Sequence, residues 1–172
     1  MKPSSFSTAL GIALLVAPAL VTAAEPPNPK IDQSGFVALV QETATIRQES
    51  RVSEERFLAM AAEPGTIILD ARSKDKYENI HIKGAVHLAF TDFTEEALAK
   101  VIPAKTTRIL IYCNNNFVGE QANFPSKMVK VALNSQTFVN LHAYGYTNVF
   151  ELGPLLNIRT TKIPFEGKSV NK

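Results

Sequence analysis

Short apolar segments that end in a polar residue limit the possible folds of this chain more than any other feature of its sequence. Residues 66–70 read Thr-Ile-Ile-Leu-Asp, and residues 108–112 read Arg-Ile-Leu-Ile-Tyr. Continuous apolar, β-branched runs of this length are typical of strands that are buried on both faces of a sheet. Two further strands are predicted at 85–88 and 148–152. Because helical patterns separate these strands, the sequence predicts an α/β fold with a mostly parallel sheet covered by helices on both faces.

Four helices are predicted. Apolar residues at helical spacing indicate one helix over 36–46, and a second short helix is predicted before the first strand. A third is predicted over 95–101 and a fourth over 126–144, with an interruption expected at 134–136. Gly145 is suited to the left-handed residue that ends the fourth helix.

Residues 1–24 have the pattern of a signal peptide. Lys2 supplies a positive charge ahead of an apolar run over 9–21, and small residues follow at the positions that a signal peptidase reads. The run is shorter than the roughly 20 apolar residues of a membrane span. Cleavage is expected after Ala23 or Ala24, which predicts a periplasmic or secreted protein with no membrane attachment. An uncleaved N-terminal anchor is the alternative.

The rest of the chain divides into segments of different character. We expect a proline-rich linker at 25–33, a helical extension at 34–50, the α/β domain at 51–156 and a polar tail at 157–172. The chain has 18 Lys and Arg residues and 16 Asp and Glu residues; without Lys2 the basic count is 18 − 1 = 17. No basic run is present, which argues against nucleic acid and acidic membrane surfaces as partners.

Cys113 is the one cysteine of the sequence, and it follows directly on the strand predicted at 108–112. It cannot form an internal disulfide, and an exported thiol is open to oxidation. Asn114, Asn115 and Asn116 come next, and asparagine tolerates left-handed backbone better than most residues. Such a turn could curl N–H groups around the sulfur and favour the thiolate. The alternative is an ordinary turn with a buried, inert thiol.

Three motifs, in the same order, resemble the signatures of rhodanese-like domains. The first is Ile-Leu-Asp-Ala-Arg-Ser at 68–73, followed by Tyr-Glu-Asn-Ile-His-Ile-Lys-Gly-Ala at 77–85. It is similar to the family's Asp-x-Arg strand end and its His-Ile-x-Gly-Ala turn. The second is the strand that leads into Cys113, and the third is Gly-Tyr-Thr-Asn-Val-Phe-Glu-Leu at 145–152. The resemblance spans 52–153 and implies a rhodanese-like three-layer fold.

The resemblance also implies a mechanism. In rhodanese-like sulfurtransferases the loop cysteine attacks a sulfane sulfur donor, becomes a persulfide and passes the sulfur to a nucleophilic acceptor. Carried over, Cys113 is the nucleophile. The sulfur anion would be stabilised by backbone N–H groups of the next five residues, namely Asn114, Asn115, Asn116, Phe117 and Val118. The implied partners are a small sulfur-containing donor and a thiol or other nucleophilic acceptor, and a protein partner is compatible with this role. No metal or organic cofactor is implied.

The loop after Cys113 departs from the family pattern. Family loops are short, often contain an arginine or lysine, and lead straight into a helix. Here the first basic residue after Cys113 is Lys127, and the distance to Gly145 indicates an insertion over 117–125. An anionic donor such as thiosulfate requires a positive charge nearby. The sequence therefore predicts a differently shaped pocket, suited to a larger or less charged partner.

Asp70 and Arg72, at the end of the first predicted strand, have two interpretations. They could line the pocket mouth and help to hold the loop, or they could form a hydrogen-bonded pair with a structural role, which we favour. His81 is predicted to bond to the backbone rather than to relay protons. One cysteine and three scattered histidines give no zinc-ligand spacing. A cysteine phosphatase is excluded because residues 117–120 contain no arginine to clamp a phosphate.

These observations leave a preferred function and two alternatives. The preferred function is a sulfurtransferase that moves sulfane sulfur through a persulfide on Cys113. The first alternative is a non-catalytic rhodanese-like binding module, favoured by the missing loop cation and the enlarged loop. The second is a thiol redox sensor that forms a mixed disulfide with another protein.

Overall fold

The computed structural model describes residues 28–170. The predicted signal peptide, its cleavage point and the alternative anchor lie outside these residues. The described residues before Gln33 contain a turn at 29–30 and belong to a unit separate from residues 33–170. The helices of the second unit are α1 (Gln33–Glu49), α2 (Glu54–Ala61), α3 (Lys74–Asn79), α4 (Glu95–Val101) and α5 (Leu133–Ala143). Its strands are β1 (Arg51–Val52), β2 (Ile67–Asp70), β3 (His81–Ile82), β4 (Val86–His87), β5 (Ile109–Tyr112), β6 (Phe117–Val118), β7 (Val149–Leu152), β8 (Leu156–Asn157) and β9 (Phe165–Glu166). None of the helices between residues 28 and 170 is long and apolar enough to span a membrane.

Five strands form a parallel sheet in the order β1-β7-β5-β2-β4. The central strand is β5, in which Ile111 is aligned with Leu69 of β2 and with Glu151 of β7. Because neighbouring strands are parallel, their carboxyl ends meet at one edge, which is where ligands bind in open α/β sheets. The predicted α/β fold with a parallel sheet flanked by helices is confirmed.

Two hydrophobic cores lie on opposite faces of this sheet. Successive side chains of a strand point to opposite faces, so Leu110 and Tyr112 belong to one core while Ile109 and Ile111 belong to the other. The first core also contains residues of α2 and of the C-terminal segment, and the second contains residues of α4 and α5. The sheet is therefore the middle of three layers.

Local signals in the sequence determine several helix ends. The hydroxyls of Ser53 and Thr94 each accept a hydrogen bond from the N–H three residues later, at 3.2 and 3.1 Å, which caps α2 and α4. Gly145 follows α5 with a φ of 81°, and its N–H donates to the carbonyl of His142 at 2.9 Å. Glycine adopts this left-handed conformation at little steric cost, as the sequence predicted.

The prediction of a helix over 126–144 is wrong for residues 126–132. Residues 129–131 form a 3₁₀ turn, and α5 begins only after Ala132, whose ψ of 134° is not helical. The interruption expected at 134–136 is also wrong, because α5 runs through these residues. The reason is tertiary: the segment before α5 is tied at Lys127 to the turn that follows Cys113.

The segment predicted as a polar tail packs on the domain through two short strands. Strand β8 pairs in parallel with β6, and β9 pairs antiparallel with β3. Between them, Ile163 is buried in the first core. The C-terminal segment therefore covers the insertion and the turn around β3.

Candidate active site

Cys113 lies at the middle of the sheet edge where the parallel strands end. It follows β5 directly and precedes a 3₁₀ turn, Asn114–Asn116, and only 2% of its surface is exposed. A cavity of about 300 Å³ reaches it, between the turn, the start of α5 and residues of α1, β1 and β7. This volume is at the lower limit of small-molecule sites, so the cavity fits a compact ligand.

Backbone N–H groups from two elements hydrogen-bond to the sulfur of Cys113. Asn115 and Asn116 contribute them from the turn, and Leu133 and Asn134 contribute them from the first turn of α5. The N-terminus of a helix carries partial positive charge, which favours a thiolate. Although the insertion separates α5 from Cys113 in sequence, the chain returns and places the helix N-terminus against the sulfur.

Burial nevertheless raises the pKa of Cys113 above its ordinary value, and the backbone hydrogen bonds offset this only in part. The carboxylate of Glu151 acts in the same direction as burial, because a nearby negative charge disfavours the thiolate. The net pKa of Cys113 is therefore raised, even though the turn itself favours the thiolate. The N–H groups act as predicted, but desolvation outweighs them.

Alkylation of Cys113 by iodoacetamide is expected to have its pH midpoint above that of an ordinary thiol. Only the thiolate reacts, and its fraction increases as the pH rises through the raised pKa. At neutral pH the protein should therefore react more slowly than glutathione. The rate of mass gain as a function of pH measures this, with Cys113→Ser as the unreactive control. A midpoint at or below the glutathione value would contradict the burial argument.

Asn116 fixes the position of the turn through four hydrogen bonds. Its Oδ1 accepts from the N–H of Cys113 at 2.9 Å and from Nδ2 of Asn134 at 3.0 Å. Its Nδ2 donates to the carbonyls of Leu152 and Pro154 at 2.7 and 3.3 Å. This buried amide joins the turn, the start of α5 and the end of β7.

The other two asparagines of the turn have different contacts. The side chain of Asn115 bonds to both backbone groups of Lys127: the N–H donates to Oδ1 at 2.9 Å, and Nδ2 donates to the carbonyl at 2.8 Å. Asn114 is buried and lines a second cavity of about 280 Å³ beside Arg72. Its Oδ1 has no hydrogen-bond partner among residues 28–170. Of the three asparagines in the turn, only Asn115 and Asn116 line the cavity that reaches Cys113.

Phe117 and Val118, which were predicted to contribute backbone donors, do not line the Cys113 cavity. The N–H of Phe117 donates to the carbonyl at the start of the turn. Its ring is fully buried against Phe124 and Phe165, with centroid distances of 4.9 and 5.2 Å. Val118 lies in β6, which pairs with β8. These two residues anchor the insertion to the first core.

Asp70 and Arg72 form a buried ion pair in which Nη2 and Oδ2 are 2.6 Å apart. Nε of Arg72 also donates to both oxygens of Asp70, at 3.0 and 3.1 Å, and the guanidinium donates to the carbonyls of Ile80 at 2.7 Å and Asn123 at 3.1 Å. The hydroxyl of Tyr112 donates to Oδ2 of Asp70 at 2.5 Å. Every guanidinium nitrogen has a protein partner, which supports the structural interpretation, although Arg72 also lines the second cavity.

Three charged residues that sequence reasoning missed line the Cys113 cavity. Glu151 of β7 is 4% exposed. Nη2 of Arg47, at the end of α1, donates to Oε1 of Glu151 at 2.8 Å, and its Nε lies 2.8 Å from Oε2. Nε of Arg51 lies 3.8 Å from Oε1. The sequence signal for this group is a glutamate within an apolar strand. A buried carboxylate requires a cationic partner, which would have directed attention to the arginines.

Each of the three histidines has a ring nitrogen close to a backbone carbonyl, and Nε2 of His81 also lies 3.3 Å from Oε1 of Glu166. Nδ1 of His81 lies 2.7 Å from the carbonyl of Tyr77, whose ring stacks on the imidazole at 3.9 Å, as the prediction of a backbone contact requires. Nε2 of His87 lies 2.9 Å from the carbonyl of Arg72, and Nδ1 of His142 lies 3.0 Å from a carbonyl of its own helix. In the part of the chain that the structure describes, no three or more His, Cys, Asp and Glu side chains form a group that could hold a metal ion.

Several solved structures share this architecture. The solution structure of a rhodanese-like domain from an Anabaena protein is 23% identical, with a TM-score of 0.53 over 72% of this chain and 83% of that chain. A thiosulfate sulfurtransferase from Pseudomonas aeruginosa is 19% identical, with a TM-score of 0.47 over 77% of this chain and 22% of that chain. A rhodanese from E. coli solved with anions is 19% identical, with a TM-score of 0.40 over 60% of this chain and 99% of that chain. The likeness to the Anabaena domain, with a TM-score above 0.5 and 23% identity, supports the fold alone.

No protein with a curated description matches the chain. The family model for rhodanese-like domains matches residues 53–153, which is more than half of the chain. This range contains the Asp-x-Arg strand end, the strand that leads into Cys113 and the closing strand β7. The chain therefore belongs to the rhodanese-like domain family.

Proposed function

We propose that this protein is an exported sulfurtransferase that carries sulfane sulfur as a persulfide on Cys113. The observation that carries the proposal is the position of the thiol. It lies at the carboxyl end of the central strand, on the wall of a compact cavity, with N–H groups of two elements directed at its sulfur. Membership of the rhodanese-like family supports the same class of activity.

The proposed reaction has two displacements at sulfur. In the first, Cys113 loses its proton, and the thiolate attacks the sulfane sulfur of the donor. A new S–S bond forms, and the bond within the donor breaks with its electron pair leaving on the remainder, which is sulfite when thiosulfate is the donor. In the second, a nucleophile such as cyanide or a thiolate attacks the outer sulfur, and Cys113 leaves as the thiolate. The protein is neither oxidised nor reduced over the cycle.

The site supports this chemistry through fixed hydrogen-bond donors. Negative charge lies on Sγ of Cys113 at the start of the first displacement and returns to it in the second, and the N–H groups of Asn115, Asn116, Leu133 and Asn134 surround that atom. Donors that are already in place stabilise developing charge without reorganisation. They therefore offset in part the desolvation that raises the pKa of the thiol.

We place the reaction in the periplasm or outside the cell. The proposal rests on the positive residue, apolar run and small residues of the first 24 positions, which are typical of a signal peptide. Isolation of the protein from a periplasmic fraction with a new N-terminus after Ala23 or Ala24 would support it. A chain that retains Met1 in the membrane fraction would contradict it.

Formation of thiocyanate from thiosulfate and cyanide tests the function. The wild type should turn over, and Cys113→Ser and Cys113→Ala should give only the uncatalysed background, because no other cysteine can carry the sulfur. Circular dichroism must show that both variants remain folded. Turnover that persists in Cys113→Ser would exclude the persulfide.

A non-catalytic binding module is the second candidate, and the burial of the thiol favours it. Cys113 is 2% exposed and its pKa is raised, and both properties slow the attack on a donor. This function predicts that no sulfane donor loads the protein. It also predicts that a partner captured from periplasmic extract binds equally well to Cys113→Ser.

A further inference from the structure

The positive charge that is missing from the active-site loop is supplied by the N-terminal helix and strand. No arginine or lysine occurs between Cys113 and Lys127, yet Arg47 and Arg51 line the cavity that reaches the thiol. Arg47 lies in the last turn of α1, and Arg51 lies in β1. Helix α1 packs against α5, which contributes N–H groups to the sulfur. The N-terminal extension is therefore part of the active-site wall.

The charges in this cavity do not cancel. Arg47, Arg51 and Glu151 are the charged residues of its lining, so two positive charges face one negative charge and leave a net charge of +1. An isolated Glu151 beside Cys113 would repel both a thiolate and an anionic ligand. The two arginines leave the lining with a net positive charge toward an anionic ligand, although Glu151 still raises the pKa of the thiol itself.

The two arginines have different surroundings. Nη2 of Arg47 donates to Oε1 of Glu151 at 2.8 Å, its Nε lies 2.8 Å from Oε2 without forming a hydrogen bond, and its side chain is 27% exposed. The side chain of Arg51 is 50% exposed, and Nη2 donates to the carbonyl of Gly153 at 3.0 Å. Its Nε is 3.8 Å from Glu151, beyond hydrogen-bond distance. Arg47 is thus committed to the carboxylate, whereas most donors of Arg51 have no hydrogen-bond partner within residues 28–170.

We propose that Arg51 binds the anionic group of the ligand that enters the Cys113 cavity, and that Arg47 is a positioning residue that neutralises Glu151. The ligand class is a small anion with a sulfonate-like or carboxylate group, which a guanidinium group binds through paired hydrogen bonds. The inference rests on the proposed function only in identifying this anion as the sulfur donor. Recognition of the anion itself does not depend on turnover.

A pair of alkylating reagents tests the charge of the cavity without sulfur chemistry. Iodoacetate and iodoacetamide are similar in shape, and the Cys113 thiolate displaces iodide from either, but only iodoacetate is an anion. The ratio of their second-order rate constants cancels the thiolate fraction when both are measured at one pH. The ratio therefore measures how much the charge of the cavity speeds or slows the reaction of an anionic reagent relative to a neutral one.

Arg51→Gln is expected to lower this ratio about fivefold, and Glu151→Gln to raise it by a similar factor, because each changes by one unit the charge that faces the reagent. Arg51→Lys keeps the charge and should keep the ratio. Arg56→Gln is the matched control, because Arg56 is exposed on α2 and does not line the cavity. It makes the same change in net charge and should leave the ratio unchanged.

A ratio in Arg51→Gln within about twofold of the wild type, or an equal fall in Arg56→Gln, would overturn the inference. If Arg51→Gln does not fold, the wild-type ratio decides: it should fall as ionic strength rises, since salt screens exposed charges, and a constant ratio overturns the inference. With thiosulfate as donor, Arg51→Gln should raise KM more than it lowers kcat, as loss of a binding contact does. If the wild type forms no persulfide but the ratios behave as expected, the proposed sulfur transfer fails and the anion site stands.

Discussion

Arg72→Met is expected to lower the free energy of unfolding by about 3–5 kcal/mol, the range found when one partner of a buried ion pair is removed. The substitution leaves the carboxylate of Asp70, which is 0% exposed, without its cation. It also removes the donors to the carbonyls of Ile80 and Asn123, which connect the turn before β3 and the insertion to the sheet. Urea unfolding followed by circular dichroism measures the change. An unaltered m-value shows that the wild type and Arg72→Met expose the same amount of surface on unfolding.

Two further variants separate the effect of charge from the effect of packing. Tyr112→Phe removes one hydroxyl, which donates to Asp70 and accepts from the N–H of Ile82, and should cost about 1–2 kcal/mol. The double variant Asp70→Asn/Arg72→Met contains neither charge and should be more stable than Arg72→Met alone. A loss below about 1 kcal/mol in Arg72→Met would contradict the structural role, since even a single buried hydrogen bond contributes that much.

Asn116→Ala is expected to impair both stability and reactivity. It leaves the N–H of Cys113 and the carbonyl of Leu152 without their partners and frees the turn from α5. Several buried polar groups lose a hydrogen bond together, so the free energy of unfolding should fall by about 2–4 kcal/mol. Because the N–H groups around the sulfur lose their positions, persulfide formation should slow by about 10- to 100-fold. Urea unfolding and the rate of sulfur loading measure the two effects.

Asn115→Ala is the matched control, because it removes the same functional group one residue earlier. Asn115 bonds only to the backbone of Lys127 through its side chain, and these bonds are exposed. The variant should lose about 1 kcal/mol or less and load sulfur at close to the wild-type rate. Equal effects of Asn115→Ala and Asn116→Ala would show that the turn is held by something other than the buried amide.

The sheet and the place of Cys113 could be predicted because both depend on local patterns. Each buried strand is a continuous apolar run, and the residue after the run lies at the carboxyl edge of the sheet. Gly145 ends α5 as the sequence predicted, and the caps Ser53 and Thr94 are equally local signals. The pairing of Asp70 with Arg72 could also be predicted, since the two residues lie two positions apart in the same strand-end motif.

The charge of the cavity could not be predicted from local patterns. Arg47 and Glu151 lie 104 positions apart, and only the parallel alignment of β1 with β7 brings Arg51 beside the same carboxylate. The absence of a cation from the loop after Cys113 was a correct observation. It favoured a less charged ligand because no local pattern places Arg47 of α1 and Arg51 of β1 at the site.

The three consecutive asparagines show a second limit of the sequence. Their identical side chains suggested a common role, yet Asn116 is a buried junction, Asn115 ties down the insertion, and Asn114 faces the other cavity. The start of α5 was misplaced for a related reason. Residues before Leu133 have helical composition, but Lys127 is hydrogen-bonded to Asn115. The helix therefore begins only at Leu133, where its N-terminus lies against the sulfur.

Intact-mass spectrometry after incubation with thiosulfate, or with a persulfide donor, tests the central claim most directly. The wild type should gain the mass of one sulfur atom, cyanide or a thiol should remove it, and Cys113→Ser should gain nothing. A folded wild-type protein that remains unmodified with every donor, or a Cys113→Ser variant that is loaded equally, would contradict a persulfide carried on Cys113.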